Sequence, residues 1–145
     1  MMKTLKRARI VTSFLEHGGK ILILKRSDSV RTYRGKWAGV SGSIEADESP
    51  LQAAVREICE ETGLGSGMLT PAGQGVRLEV VDGGLGVKWE IHAFLFTVDS
   101  PAITIEGEHT EFKWIDPSEI DGYDAVPELA RSLRLVLEKR TQLKK

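Results

Sequence analysis

Apolar positions along the chain alternate between the two-residue period of strands and the longer period of helices. Residues 8–17 are apolar and β-branched, and Gly18-Gly19 marks a hairpin turn into residues 20–25 (KILILK), a continuous apolar run of strand length. Residues 26–36 (RSDSVRTYRGK) interrupt the pattern as a polar loop, and residues 37–45 return to a strand that passes into a second loop. Residues 50–62 follow a helical period. Leu51, Ala54, Val55, Ile58 and Thr62 fall on one stripe and predict the buried face of an amphipathic helix. Ser49 is a good N-cap, Pro50 suits the first turn and Gln52 completes a capping box. Gly63 supplies the left-handed residue on which a helix stops most cheaply.

Past this helix, residues 65–75 are rich in glycine and read as loop. Residues 76–81 and 88–98 read as two strands joined by a hairpin turn at Asp82-Gly83-Gly84-Leu85-Gly86. In the second of them Trp89, Ile91, Ala93 and Leu95 alternate with Glu90, His92, Phe94 and Phe96. Both faces turn apolar toward its end, as in a central strand covered on two sides. Residues 110–115 (TEFKWI) form a last strand, and residues 116–120 start a short helix. Pro127 opens a final helix, with Leu129, Leu133, Val136 and Leu137 inward and Arg131, Arg134, Lys139 and Arg140 toward water. The predicted order, β-β-β-α-β-β-β-α, by itself supports an α/β or α+β domain.

Composition narrows this only a little. The 145 residues give room for one domain with a proper core, spanning 1–145. Hydrophobic residues at 41% and charged residues at 28% are ordinary for a globular chain, and a net charge of −1 gives no reason to expect a nucleic acid polymer as partner. No apolar run approaches the roughly 18 residues of a membrane span, and the N-terminus lacks a signal-peptide core. A cytoplasmic location with no membrane partner is therefore expected. The single cysteine, Cys59, cannot form an internal disulfide. It borders the apolar stripe and reads as a buried structural thiol.

The charged face of the helix at 50–62 changes the picture more. Glu57, Glu60 and Glu61 fall on the side away from the apolar stripe, within an arc of roughly 100°. Like charges at these spacings repel, and they lie near the helix C-terminus, where the dipole disfavours anions. A plain solvated face is one explanation. A hard divalent cation, which takes oxygen ligands, is another, since it would reverse the sign of the interaction. Arg56 flanks the cluster, and Glu48 precedes the cap, where it can turn back toward Arg56.

These residues also form a longer pattern. Gly42 is followed after five residues by Glu48, and after seven more by Arg56-Glu57-Ile58, then Glu60-Glu61 and Gly63-Leu64. The stretch 42–64 resembles the signature of the Nudix (MutT-like) hydrolases with every gap matched. Gly35 and Trp37 are spaced like the Gly-x-Trp that precedes it in many members, while Ser41-Gly42-Ser43 stands where the family often has Pro-Gly-Gly. The resemblance implies an α/β/α sandwich with a mixed sheet between helices. It also implies a pyrophosphohydrolase dependent on Mg²⁺ (or Mn²⁺). Such an enzyme cleaves a nucleoside diphosphate derivative, such as an NTP, a dNTP or a nucleotide sugar, by attack of activated water on phosphorus.

By position in the motif, Glu57, Glu60 and Glu61 are the implied metal ligands, joined by the backbone carbonyl of Ser41, while Arg56 and Glu48 support them. Family members place the general base differently. Here the candidates are Glu57 on the helix and Glu108 in the loop 105–111, with Glu111 in reserve. The loop 26–36 leads into the signature, and its Arg26, Arg34 and Lys36 are candidates for steering phosphate. His92 is a further candidate ligand or base, although a lone strand histidine is more often structural. Trp37, Tyr33, Trp89 and Phe94 are candidates for stacking on a base or for the core. The substrate itself is not marked. The proline typical of ADP-ribose hydrolases and the tyrosine of dinucleoside polyphosphate hydrolases are both missing from the window 79–84. Two other classes share the fold. A silent binding module typically lacks a signature carboxylate, and an isomerase of the isopentenyl diphosphate type needs a reactive cysteine. The expected partner is a small nucleoside diphosphate-type molecule, and a homodimer is compatible with the sequence.

Overall fold

The computed structural model describes residues 4–105 and 107–143, with side chains as far as Arg140. Eight strands form one sheet: β1 (Lys6–His17), β2 (Lys20–Arg26), β3 (Trp37–Ala38), β4 (Val40–Ser43), β5 (Leu69–Pro71), β6 (Val76–Asp82), β7 (Val87–Val98) and β8 (His109–Ile115). Two helices, α1 (Pro50–Thr62) and α2 (Leu129–Leu143), flank it, with short 3₁₀ turns at Ser66–Met68 and Pro117–Gly122. The central pair, β1 and β7, is parallel, and every other pairing is antiparallel, so the sheet is mixed as expected.

Side chains that alternate along a strand point to opposite faces, and the two faces feed two separate cores. Leu22 and Leu24 of β2, Val11 and Leu15 of β1 and Phe96 of β7 pack with Ala53, Ala54 and Ile58 of α1. Their neighbours Ile21, Ile23, Phe14 and Leu95 pack with Leu129, Leu133 and Val136 of α2. Each such buried side chain contributes roughly 1.5–3 kcal/mol, so the α/β/α sandwich rests on these two layers.

One distortion of the sheet positions the site. Only Glu16 and His17 of β1 pair with β2, while Ile10 to Ser13 pair with β4. The segment after the polar loop therefore pairs first with β2 through Trp37 and Ala38, then crosses to β1. It bends at Gly39, where a Cβ would lie 2.9 Å from the Ser13 carbonyl. The single strand expected at 37–45 is two short ones for this reason.

Other departures have local causes. The inward side of α1 runs through Ala53, Ala54, Glu57, Ile58 and Thr62, while Leu51 is 44% exposed and Val55 only half-buried. The apolar stripe is thus rotated toward Glu57, because the bare backbone at Gly42 leaves a slot that this carboxyl group fills. Cys59 is half-buried, not fully so. Leu69–Pro71, expected as loop, pairs with the apolar end of β7. The last helix begins at Leu129 and not at Pro127, because Glu128 is left-handed (φ 66°) and a right-handed helix cannot run through it. Arg140 does not point to water but pairs with Glu16 of β1. No described helix is long and apolar enough to cross a membrane.

Candidate active site

Both ends of α1 are fixed by the residues that signalled them. The Ser49 hydroxyl accepts from Gln52 N–H (3.1 Å), the Gln52 side-chain oxygen accepts from Ser49 N–H (2.9 Å), and Gly63 is left-handed at φ 75°. Ala53 and Ala54 are fully buried beneath the helix, so its backbone approaches the sheet closely. That approach brings Glu57 against β4. An added Cβ on Gly42 would lie 2.1 Å from Glu57 Cδ and 2.2 Å from Oε1. The carboxyl group occupies the space a side chain would need.

Arg56 organises the surroundings. Its Nε and Nη2 donate to Glu48 (2.6 and 2.8 Å), Nη1 donates to Glu57 Oε1 (2.8 Å), and Nη2 also donates to the Ser43 carbonyl (3.0 Å). Glu48 in turn accepts from the Glu45 N–H (3.0 Å). One guanidinium thus ties the start of the loop to the helix and sets the position of Glu57, in the paired geometry that charge-assisted bonds favour. The Arg56 hydrogen bonds, helped by the Glu45 N–H, depress the Glu48 pKa to about 2. Arg56 is pushed the other way, above its ordinary range, chiefly by Glu48. Glu57 is raised. Burial outweighs the opposing Arg56, and the charges of Glu60 and Glu61 add to the burial.

Glu60 and Glu61 diverge from Glu57. Glu60 reaches the same guanidinium at 3.4 Å and is largely exposed. Glu61 Oε2 lies 3.0 Å from Nδ1 of His109, which is buried and whose Nδ1 makes no aligned hydrogen bond. His109 was not among the residues the sequence singled out. It reaches Glu61 through a bulge: Lys25 pairs with Glu111, but Arg26 pairs with His109. The extra residue, Thr110, reverses the alternation and turns His109 to the α1 face. The only signal in the sequence is an imidazole beside Glu108 in a loop that faces the signature helix. Glu111 lies before that reversal, beside Lys25 at 3.5 Å and on the opposite side of the sheet from His109.

The carbonyl of Ser41 points away from β1. Ile44 N–H donates to the Arg9 carbonyl one residue beyond the β1–β4 ladder, which fixes the hydrogen-bond phase of that ladder. Alternation then turns the carbonyls of Ser41 and Ser43 away from β1. Arg56 takes that of Ser43.

Among the loop cations, Arg26 is within electrostatic reach of the acidic group. Burial lowers its pKa, while the charges of Glu108 and Glu61 act to raise it. Its Nε donates to the Thr32 carbonyl (3.0 Å) and helps shape the loop. Arg34 Nε donates to the Val30 carbonyl (2.7 Å), and Lys36 pairs with Asp124 at 2.8 Å. Both are engaged within their own surroundings. Glu108 has an exposed side chain, and its carbonyl accepts from Ser27 N–H (2.8 Å).

The aromatic candidates pack within the protein. Trp37 lies in the α2-side core, edge-on to Tyr123. Tyr33 donates to Asp82 (2.7 Å) and accepts from Trp89 Nε1 (3.1 Å). Phe94 packs beside Phe96 over Gly75. His92 lies 2.8 Å from Glu90 in a surface ion network.

Among the described residues no three acidic, histidine or cysteine side chains already converge on one point. The expected cluster of Glu57, Glu60 and Glu61 is thus spread over Arg56 and His109. The donor set still fits a hard divalent cation: oxygen ligands at i, i+3 and i+4 on a capped helix, beside an outward backbone carbonyl.

A mixed sheet between two helix layers, with an arginine-clamped carboxylate helix seated on a bare glycine, is the arrangement expected from the Nudix resemblance, that of hydrolases acting on phosphorus-containing anhydrides. Comparison with known proteins agrees: a model of the NUDIX domain family matches residues 4–136. The chain belongs to the Nudix family. It is 30% identical over 128 residues to the nucleoside triphosphatase NudI of Escherichia fergusonii, covering 83% of this chain and 89% of that one. A Nudix hydrolase from Nitrosomonas europaea superimposes with a TM-score of 0.76 at 22% identity, covering 93% and 92% of the two chains. A bifunctional NMN adenylyltransferase/ADP ribose pyrophosphatase from Francisella tularensis, complexed with AMP and a Mn ion, reaches 0.80 at 22% identity. That match covers 94% of this chain and 42% of the other. The chain is accordingly a pyrophosphohydrolase of the Nudix type.

Proposed function

We propose that the protein hydrolyses nucleoside triphosphates in a Mg²⁺- or Mn²⁺-dependent reaction, with water attacking phosphorus within the diphosphate linkage. The observation that carries this is the Glu57 carboxylate held against Gly42 by Arg56, with Glu60 and Glu61 one turn further on. The nucleoside triphosphatase activity in the name of the 30% identical relative supports the substrate class. Glu57, Glu60, Glu61 and the Ser41 carbonyl would hold the cation, which when bound supplies charge neutralisation of the phosphates and a more acidic water.

The protein's own groups do the rest. Arg56 and Glu48 keep the glutamate helix in register with the loop from Ser43 to Ser49. Arg26, beside Glu61 and Glu108, orients a phosphate oxygen at the rim. Glu108 accepts the proton of the attacking water, with Glu57 the alternative base because burial raises its proton affinity. Arg34 and Lys36 are retained as weaker phosphate contacts, each first having to leave its present partner.

The test is a screen of nucleoside triphosphates, nucleotide sugars and dinucleotides with and without Mg²⁺, run beside a Glu60→Gln, Glu61→Gln double variant. Nucleoside triphosphates should give the highest turnover, and the variant should lose most of it. Wild-type activity in that folded variant would sink the ligand assignment. Preference for a dinucleotide or nucleotide sugar would sink the substrate class alone.

A further inference from the structure

The outer edge of β6 is a seven-residue strand whose backbone groups, among the described residues, pair only on the side of β7. Its pairing with β7 is regular from Val76 to Asp82, without a bulge. Exposed edges are usually blunted by proline, by charged side chains (lysine above all), by a bulge or by shortness. VRLEVVD has no proline, lysine or bulge, its charges Arg77 and Glu79 are of opposite sign on one face, and its own Val81 is among the large apolar side chains most exposed to water.

A second copy can extend such an edge only in certain registers. Two identical antiparallel strands are related by an axis perpendicular to the sheet, so each residue lies opposite one that shares its face. Centred on Glu79, that pairing sets Glu79 against its own copy, and centred on Arg77 it does the same for Arg77. Both place like charges directly opposite, which destabilises a sheet. Centred on Leu78 the strand is self-complementary. Arg77 faces the partner's Glu79 twice, Val76 faces the partner's Val80 twice, and Leu78 faces its own copy. Arg77 already donates to Glu79 and Glu90 in its own chain (2.9 and 3.0 Å), yet its side chain remains 53% exposed and can donate to a further carboxylate.

From this we infer that β6 is a homodimer interface, joining two copies into one continuous sheet in the register centred on Leu78. Pairing of one short strand from each copy buries less than a standard interface, so the dimer is weak and exchanging, and forms at high micromolar concentration.

Sedimentation equilibrium over a range of protein concentrations tests it. Wild type should pass from monomer to dimer. Arg77→Glu and Glu79→Arg should each remain monomeric, and an equimolar mixture of the two should form a heterodimer, because the mixed pairing restores both opposite-charge contacts. A monomeric wild type throughout, dimers that persist in both variants, or a mixture that fails to associate would each overturn the inference. Amide exchange in the wild type, compared at low and high protein concentration, provides a check that needs no variant. Added protection must be confined to β6, and protection elsewhere, or none, also overturns the inference.

Discussion

Replacing Gly42 with alanine isolates the contact on which the site is built. The new Cβ would fall 2.1 Å from Glu57 Cδ and 2.6 Å from Cγ. Non-bonded carbons settle about 3.5–4.0 Å apart, so the carboxyl group must retreat by more than about 1 Å. Gly42 is not left-handed, so the alanine backbone is unstrained and the side chain of Glu57 takes the whole displacement. Its hydrogen bond from Arg56 Nη1 is then lost, at a cost of about 1.5–3 kcal/mol for a charge-assisted bond. The reduced freedom of the unfolded chain returns about 0.4–1 kcal/mol. A net loss of about 1–2 kcal/mol should lower the melting temperature by about 3–6 °C and leave the protein folded. Turnover should fall further, by about 10²-fold, since a displacement of this size at a reacting centre has that effect. Gly65→Ala, with nothing within 4 Å of the new Cβ, is the control: it should raise the melting temperature by about 1–3 °C through the same reduced freedom of the unfolded chain and leave turnover unchanged. Calorimetry and steady-state hydrolysis on the three proteins decide the matter. A Gly42→Ala protein with wild-type kcat would refute the placement of Glu57 at the reacting centre.

Three further outcomes are expected. Glu108→Gln should lower kcat by about 10²-fold with little change in KM, while Glu111→Gln, beside Lys25 on the other side of the sheet, should be mild; the reverse order exchanges the two residues. His109→Ala should weaken Mn²⁺ binding by about 10-fold or more, as loss of a partner that orients a ligand does, and His109→Asn should recover most of it. Equal affinities by electron paramagnetic resonance would leave His109 with a packing role only. The pH dependence of the metal-free protein has two components of opposite sign. Glu48 is depressed to about 2 from 4.5, so its contribution is present above pH 4.5 and is lost as pH falls through about 2. Glu57 is raised, so its stability is greatest below pH 4.5 and is lost as pH rises through its folded value. At neutral pH Glu48→Gln should therefore lower the melting temperature and Glu57→Gln should raise it, and a shared direction of change would contradict the assignment.

The helix ends, the glutamate spacing and the alternation of the strands are local properties, and the sequence determined them. Ser49, Gln52 and Gly63 cap α1 where their chemistry requires, and Arg56 bonds Glu48 because the spacing across the cap brings both to one side. The two-layer core follows from the alternation of Ile21, Leu22, Ile23 and Leu24. Tertiary structure decided which way α1 is turned. Periodicity put Glu57 among the solvated residues, but the missing side chain at Gly42, distant in sequence, made a slot that a carboxylate backed by Arg56 fills better than Leu51 or Val55. It also decided the role of His109. A strand period of two would have turned that imidazole to the α2 side, and only the unequal spacing across β2 and β8 shows that one residue is bulged out. The cations of the polar loop were indistinguishable in sequence. Lys36 finds Asp124, Arg34 finds the Val30 carbonyl, and Arg26, half-buried, feels the charges of Glu61 and Glu108. Long-range packing set those pairings, and no local pattern encodes them.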